Sequence, residues 1–145
     1  MEPFNNHEMY LAAFSESLTD MQDYLLRVAD GCEQITLLIH TGNTGEAMEN
    51  LSLIIEGLTY VRTHMETAEM LLKLDYATLC IEKGVTVAVF IKEWERVWHD
   101  IAEASLHKDY SLLGDLVDYD LTTIVKQAQK LMAIFEHNVA ESKVG

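Results

Sequence analysis

The residues with the greatest potential for chemistry lie in one acidic stretch, KDYSLLGDLVDYDL, at residues 108 to 121. It contains four aspartates, Asp109, Asp115, Asp118 and Asp120. Carboxylates grouped in this way can bind divalent metal ions or act as general acids and bases. They are also common in the first turns of helices, where they lie in solvent near the positive end of the helix dipole. The four side chains must be placed on a helix before either interpretation is favoured.

Helical geometry separates the four aspartates. Asp109 comes directly before the helix, where its carboxylate can accept backbone N–H bonds as an N-cap. Asp115 and Asp118 point away from the apolar positions, which predicts two solvated side chains. Asp120 lies at the edge of the apolar face, where a carboxylate needs a partner or water. We predict that it forms a structural ion pair with Arg62 that fixes the register of two helices.

Motifs for metal binding and catalysis are missing from the rest of the sequence. Carboxylate-bridged di-metal bundles carry Glu-x-x-His on two helices, and neither that motif nor His-x-x-x-His occurs. The chain also lacks a Gly-rich phosphate loop, a Gly-x-Ser-x-Gly elbow and Cys-x-x-Cys. Cys32 lies among apolar residues at helical spacing, which is typical of a small core residue. We therefore predict no metal site, no cofactor and no enzymatic activity.

The spacing of apolar residues predicts an all-α fold with four helices, at about 7–40, 44–73, 76 or 84–106, and 110–138. In the first helix the apolar residues alternate in steps of three and four, at Leu11, Phe14, Leu18, Met21, Leu25, Val28, Cys32, Ile35 and Ile39. The corresponding set in the second is Leu51, Ile54, Leu58, Val61, Met65, Ala68 and Leu72. Matched lengths and short connections predict an antiparallel up-down four-helix bundle with coiled-coil-like packing.

The third helix is the hardest to place. Its predicted apolar face is Gly84, Val87, Ile91, Trp94, Trp98, Ile101 and Ser105. The run VTVAVFI at its start is rich in β-branched residues and is also compatible with a buried strand. We favour helix, because an isolated strand would have no pairing partner, and residues 74–83 stay open as loop or first helical turns. The predicted face of the fourth helix is Leu113, Val117, Leu121, Ile124, Ala128, Leu131 and Phe135.

The helix boundaries carry recognisable signals. Asn5 followed by Glu8 predicts a capping box at the start of the first helix. Gly42 is expected to take a left-handed conformation at its end, and Asn43 or Thr44 to cap the second helix. We predict one domain over residues 1–145, with loose ends at about 1–6 and 140–145.

Composition limits the classes of partner. The net charge is −14, from 24 acids against 10 bases, which disfavours nucleic acids and anionic membranes. The longest apolar run has seven residues, too short for the roughly 20 that span a bilayer. No segment has the pattern of a secretory signal, and the two cysteines predict free thiols in the cytoplasm.

Apolar residues left over after the core is filled indicate a candidate contact surface. These residues are Val85, Val89, Phe90, Val97, Leu112 and Leu116, with Tyr60 on the second helix. Their alternative role is to line the edges between helices. A surplus apolar stripe would instead bind a partner helix or a second copy of the chain. Trp94 and Trp98 are interpreted as core, although they would also serve as interface anchors.

The stretch KDYSLLGDLVDYDL, with a looser echo in EAMENLSLIIEGL, resembles small, acidic, all-helical bacterial proteins with no assigned activity. That resemblance implies a helical bundle and implies no catalytic residues. In size and acidity the chain is also similar to flagellar export chaperones, a likeness of fold and composition only.

The sequence thus favours a cytoplasmic, non-enzymatic bundle that acts through protein–protein contacts, as an adaptor, an export-chaperone-like protein or a self-assembling module such as a homodimer. Its acidic surface would attract a basic partner. The alternative is a bundle that binds a metal or small ligand through inward carboxylates such as Asp120.

Overall fold

The computed structural model describes residues 6–144, with side chains described to residue 142, and consists almost entirely of helix. Three long helices come first, α1 (Asn6–His40), α2 (Thr44–Leu72) and α3 (Val87–Leu106). A continuous helical rod follows, made of α4 (Tyr110–Asp115), a π-helical segment (Leu116–Leu121) and α5 (Thr122–Val144). We call these three segments the C-terminal rod. The predicted all-α, antiparallel four-helix arrangement is confirmed.

The helices alternate in direction, and α1 lies between two neighbours. It packs closely against α2 on one side and against the C-terminal rod on the other, while α3 packs mainly against the rod. The rings of Phe14 and Phe135 lie 6.4 Å apart at one end of the bundle. At the other end Ile39 meets the backbone at Gly114. This antiparallel register is the one expected of short helix connections.

The core of α1 and α2 follows the predicted apolar spacing. The predicted residues of α1 from Leu11 to Ile35 and those of α2 from Leu51 to Ala68 are buried, while Ile39 and Leu72 are half-buried. Among the residues whose side chains are described, none of the buried ones is polar or charged. Burial of an apolar face on each helix is therefore what holds the bundle together.

The predicted face of α3 is partly wrong. The structure buries Val87, Phe90, Trp94, Val97, Ile101 and Ala104. Val87, Trp94 and Ile101 belong to both sets, but the other core positions fall one residue earlier than predicted. Both sets alternate in steps of three and four, so spacing alone does not distinguish them. The choice depends on where the rod lies relative to α3.

A short antiparallel hairpin, which the sequence did not predict, precedes α3. Strand β1 (Cys80–Glu82) pairs with β2 (Val85–Thr86), with Cys80 opposite Thr86. The turn contains Gly84 at φ +80°, a conformation that favours glycine. Part of the run interpreted as helix is therefore a strand, because the uncertain segment before it supplies the pairing partner.

The connection also fixes where α3 begins. The Thr86 hydroxyl accepts a hydrogen bond from the Val89 N–H at 3.2 Å and so caps the helix. The Val87 and Ala88 N–H groups donate to the carbonyls of Leu79 and Tyr76, both at 2.9 Å. The first donors of α3 are thus satisfied by the preceding loop, which ties hairpin and helix together.

Other boundary signals have mixed outcomes. Gly42 adopts φ +82°, as predicted. Asp109 caps α4 through a 3.1 Å bond from the Leu112 N–H, also as predicted. Asn43 precedes α2, but its side chain donates to the Thr41 hydroxyl and accepts no helical N–H. Asn5 lies outside the described residues, as do 1–4 and 145, and the predicted loose ends stay a prediction.

The rod changes its winding at Leu116–Leu121, where six residues form a π-helical turn. The Thr122 hydroxyl donates to the Val117 carbonyl at 3.0 Å and provides a donor within the wider turn. Core residues Leu113, Val117 and Leu121 follow one another in two successive steps of four. A turn wider than 3.6 residues keeps such positions on one face, so the π segment holds the whole rod in register with the core.

Candidate functional site

The prediction of a contact surface is wrong for three of its seven residues. Phe90, Val97 and Leu116 are buried in the core, so they present no surface in the folded chain. They are buried because the rod and α3 pack directly against each other. A sequence that shows only spacing does not reveal how wide the buried face becomes when two neighbours cover it.

The remaining residues of the predicted contact surface differ in how far they are exposed. Val85 is half-buried, whereas Val89 and Leu112 are exposed. Tyr60 is exposed on α2, and it lines a different feature of the molecule, described below. The Trp rings stack at 4.4 Å, with Trp94 buried and Trp98 half-buried, in agreement with a core role for Trp94.

The predicted Arg62–Asp120 pair is also wrong. Asp120 instead accepts a hydrogen bond from Arg96 at 3.2 Å, and Arg62 lies 3.9 Å from Glu95. The segment of the rod that carries Asp120, Leu116–Leu121, packs against α3 and not against α2, so the nearest arginine to Asp120 is the one on α3.

Arg96 gathers three carboxylates at the edge between α3 and the rod. It binds Glu93 and Asp100 on its own helix, at 3.0 and 2.8 Å, in addition to Asp120. The hydrogen bonds that Arg96 donates to Glu93 and then to Asp120 hold the pKa of its guanidinium above the ordinary value. A small cleft of about 210 Å³ lies here, and its other polar side chains also have partners, Thr123 with the Tyr119 carbonyl and Gln127 with Glu82. The cluster is a structural network.

Among the residues whose side chains are described, no Asp or Glu is buried in the core, and the ligand-binding alternative stays a prediction. Asp115 and Asp118 are exposed, as predicted, and Asp120 lies at the surface with Arg96. Within the described part of the chain, no three His, Cys, Asp or Glu side chains are placed to hold a metal ion. Cys32 is buried, and burial raises the pKa of its thiol to about 11, so it is a poor nucleophile.

An open concave groove lies between α1 and α2. Its first part, which we call the Tyr10 cavity, has a volume of about 490 Å³. Its lining is mostly apolar or small, and consists of Tyr10, Ala13, Phe14, Ser17, Thr63, His64, Thr67, Met70 and Leu71. Tyr10 and Met70 are 60% and 75% exposed, an arrangement that leaves large apolar side chains facing solvent around a concave surface.

A second cavity continues the groove along the same two helices. This Tyr24 cavity has a volume of about 360 Å³ and is lined by Ser17, Asp20, Met21, Tyr24, Arg27, Gly57, Tyr60 and His64. The Tyr24 ring lies directly against the backbone of Gly57, where a Cβ atom would collide with it. Burial raises the pKa of the Tyr24 hydroxyl. Gly57 therefore leaves room for the Tyr24 side chain in the groove.

Ser17 and His64 join the two cavities. The Ser17 Oγ lies 2.6 Å from His64 Nε2, and His64 Nδ1 lies 2.7 Å from the Tyr60 carbonyl oxygen. A carbonyl only accepts hydrogen bonds, so we assign the imidazole proton to Nδ1. Nε2 then accepts from the Ser17 hydroxyl. The His64 ring also packs against Phe14, with 5.9 Å between centroids.

A serine bonded to an oriented histidine has two of the elements of a nucleophilic centre. Such a centre also needs hydrogen-bond donors for the oxyanion that forms in acyl transfer. Backbone N–H groups in the middle of α1 and α2 already donate within their helices, so the groove walls do not offer them. We therefore interpret the Ser17–His64 pair as an interhelix hydrogen bond that places a polar contact point in a mostly apolar groove.

Charge is concentrated on the two helices that form the groove. Together α1 and α2 hold eleven Asp and Glu residues against two Arg residues, a charge of −9 out of the whole chain's −14. The groove itself contains Asp20 and Arg27, and the guanidinium of Arg27 lies 5.9 Å from the centre of the Tyr24 ring. The groove therefore lies between the two helices that carry most of the chain's excess negative charge.

Sequence reasoning missed every groove residue except Tyr60. Apolar spacing assigns one face of α1 and of α2 to the core and says nothing about the flanks of those faces. A signal was present, since Ala13, Ser17 and Gly57 beside those faces leave room between the helices, with Tyr10 and Tyr24 adjacent. Small residues at a helix interface open space only where the neighbouring helix is known.

The chain belongs to the DUF8042 family, described as a domain of unknown function, whose model matches residues 16–131. The matched span contains both Ser17 and His64 and most of all four helices. No curated protein and no solved structure matches the chain. In the part of the chain that the structure describes, the helices are too short or too polar to cross a membrane.

Proposed function

We propose that this member of the DUF8042 family is a non-enzymatic protein-interaction module whose α1–α2 groove binds a basic amphipathic helix of a partner protein. The observation that carries the proposal is the coincidence of two features. The same pair of helices presents the open apolar groove and holds most of the excess negative charge. Apolar contacts would supply affinity, and charge would steer the partner towards the groove.

A helix suits this groove better than an extended peptide does. The polar groups that line it are few, and the backbone groups in the middle of α1 and α2 are engaged in their own helices. An extended segment would bury N–H and C=O groups that find no partner there. A helix satisfies its own backbone and needs only an apolar face to bind.

The net charge of the chain favours a basic partner over a second copy of the chain. A second copy of this chain would bring another net charge of −14 to an already acidic surface, so self-association through the groove is disfavoured. A basic helix gains from the same field. An adaptor or an export-chaperone-like protein would use the groove in this way, by covering an amphipathic helix of its client. We place this interaction in the cytoplasm, where Cys32 and Cys80 stay free thiols.

The test is capture of partners from the protein's own cell lysate by two matched variants. Ala13→Arg places a large cation in the Tyr10 cavity, whereas Ala12→Arg makes the same change at an exposed neighbour outside it. We expect wild type and Ala12→Arg to retain one stoichiometric partner through a basic amphipathic helix, and Ala13→Arg to lose it. Higher salt should weaken capture, because exposed charges are screened.

A second pair of variants tests whether lost capture results from the groove substitution and not from unfolding. Thr63→Arg enters the same cavity from α2, and Thr59→Arg is its exposed match one turn earlier. Circular dichroism and thermal unfolding of all four variants show whether the bundle is intact. Capture that survives both groove substitutions in folded protein would refute the proposal, and so would a partner that binds through an acidic or extended segment.

A further inference from the structure

We infer that the partner helix carries two large apolar side chains seven residues apart, with a hydrogen-bond donor between them at the third or fourth position. This inference rests on the proposed function, because it describes what the groove would select once a helix lies in it. It depends on three features of the groove, which are the two cavities, their separation and the polar pair where they meet.

The two cavities are separate but adjacent. The Tyr10 cavity is lined by residues 10 to 17 of α1 and 63 to 71 of α2. The Tyr24 cavity is lined by residues 17 to 27 of α1 and 57 to 64 of α2. Both include Ser17 and His64, which therefore lie on the border between them. Each cavity has room for at least one large apolar side chain.

Their separation sets the spacing of the anchors. The midpoints of the two linings differ by about eight residues on α1 and about seven on α2, or roughly 10–12 Å at the helical rise. Two side chains seven residues apart on a partner helix are separated by about 10.5 Å and lie on nearly the same face. A spacing of four residues gives about 6 Å and would put both anchors into one cavity.

The border between the cavities is polar. His64 uses both ring nitrogens, one with Ser17 and one with the Tyr60 carbonyl. The Ser17 hydroxyl donates its hydrogen bond to His64, and its oxygen can still accept one. A helix lying along the groove would exclude water from this oxygen, so we expect a donor on the partner to take the place of water there. Asn, Gln, Lys or Arg midway between the anchors would do so, and Lys or Arg would also suit the acidic surface.

The experiment is a selection from a displayed library of helical peptides, in which the positions of one face are randomised. Wild-type protein selects, and Ala13→Arg removes peptides that do not use the groove. We expect enriched helices to carry large apolar residues at i and i+7 and a donor at i+3 or i+4. Replacing that donor with leucine in a purified peptide should weaken binding to wild type about tenfold.

The Ser17→Ala variant identifies the atom responsible. Against Ser17→Ala, the donor and leucine peptides should bind with affinities within about twofold of each other, since the acceptor is gone. Groove-dependent helices with another spacing, or a donor preference that persists in Ser17→Ala, would overturn this inference and leave the proposed function intact. If no enriched peptide depends on the groove, both the inference and the proposed function fail.

Discussion

Ser17 of α1 and His64 of α2 share a hydrogen bond of 2.6 Å at the point where the two groove cavities meet. The pair does two things at once. It links the helices at a place where neither contributes its main apolar face, and it places a polar point in the middle of a mostly apolar groove. A contact that stabilises the folded chain thus also shapes what the groove can bind.

The first prediction concerns the energy of that bond. A double-mutant cycle with Ser17→Ala, His64→Leu and the double variant should give a coupling of about 0.5–1.5 kcal/mol, the usual contribution of a partly buried hydrogen bond. Urea unfolding of the four proteins measures it. Strict additivity of the two single effects would mean that the bond is not formed in solution.

The second prediction separates the two interhelix arginines. Arg96→Ala should lower the free energy of unfolding by about 1 kcal/mol, because it leaves Glu93, Asp100 and Asp120 without their shared cation. Arg62→Ala, which loses one contact of 3.9 Å, should cost only about 0.3 kcal/mol. Denaturant titration at low and high salt compares them. Equal losses would argue against the three-carboxylate network.

The third prediction tests which face of α3 is buried. Phe90→Ala should destabilise the protein by about 3–5 kcal/mol, since it removes a fully buried ring. Val89→Ala, at the exposed adjacent position, should change stability by about 0.5 kcal/mol or less. Thermal unfolding is sufficient to compare the variants. A larger effect at Val89 than at Phe90 would place the wrong face of α3 in the core.

The fourth prediction concerns pH. Hydrogen bonds from Lys130 and then Gln127 lower the pKa of the Glu82 carboxyl, which anchors the hairpin to the rod. A carboxyl with a lowered folded-state pKa stabilises the protein above its unfolded-state pKa of about 4.5, and that contribution disappears as pH falls through the folded value. Between pH 7 and pH 3, Glu82→Gln should lose less stability than wild type in urea unfolding. Parallel pH profiles would show that Glu82 is not coupled to folding.

The fifth prediction distinguishes the two thiols. Cys80 is exposed and should react with a thiol reagent at once, whereas Cys32 is buried and burial raises the pKa of its thiol to about 11. At pH 8 the Cys32 thiolate is about a hundredfold scarcer than for an ordinary thiol with a pKa near 9. The Cys80→Ser variant should therefore release almost no reporter until denaturant is added. Fast labelling of that variant would mean that the core opens near Cys32.

The sequence by itself determined the number of helices, their approximate bounds and most of the core of α1, α2 and the C-terminal rod. It could do so because an amphipathic helix repeats its apolar residues at a period set by its own backbone. The helix-end signals at Gly42 and Asp109 could also be predicted from the sequence. Each depends only on the backbone conformation and hydrogen bonds of the few residues around it.

Only the tertiary structure decided which helices are neighbours, and the failed predictions follow from that. Arg96 and not Arg62 meets Asp120 because α3 and not α2 lies beside that part of the rod. Phe90 and Val97 enter the core because the rod selects one of two equally spaced faces of α3. The groove exists because the small flanks of α1 and α2 face each other in an antiparallel register. Pairing between distant segments depends on the summed packing of all faces, which no single helix encodes in its own spacing.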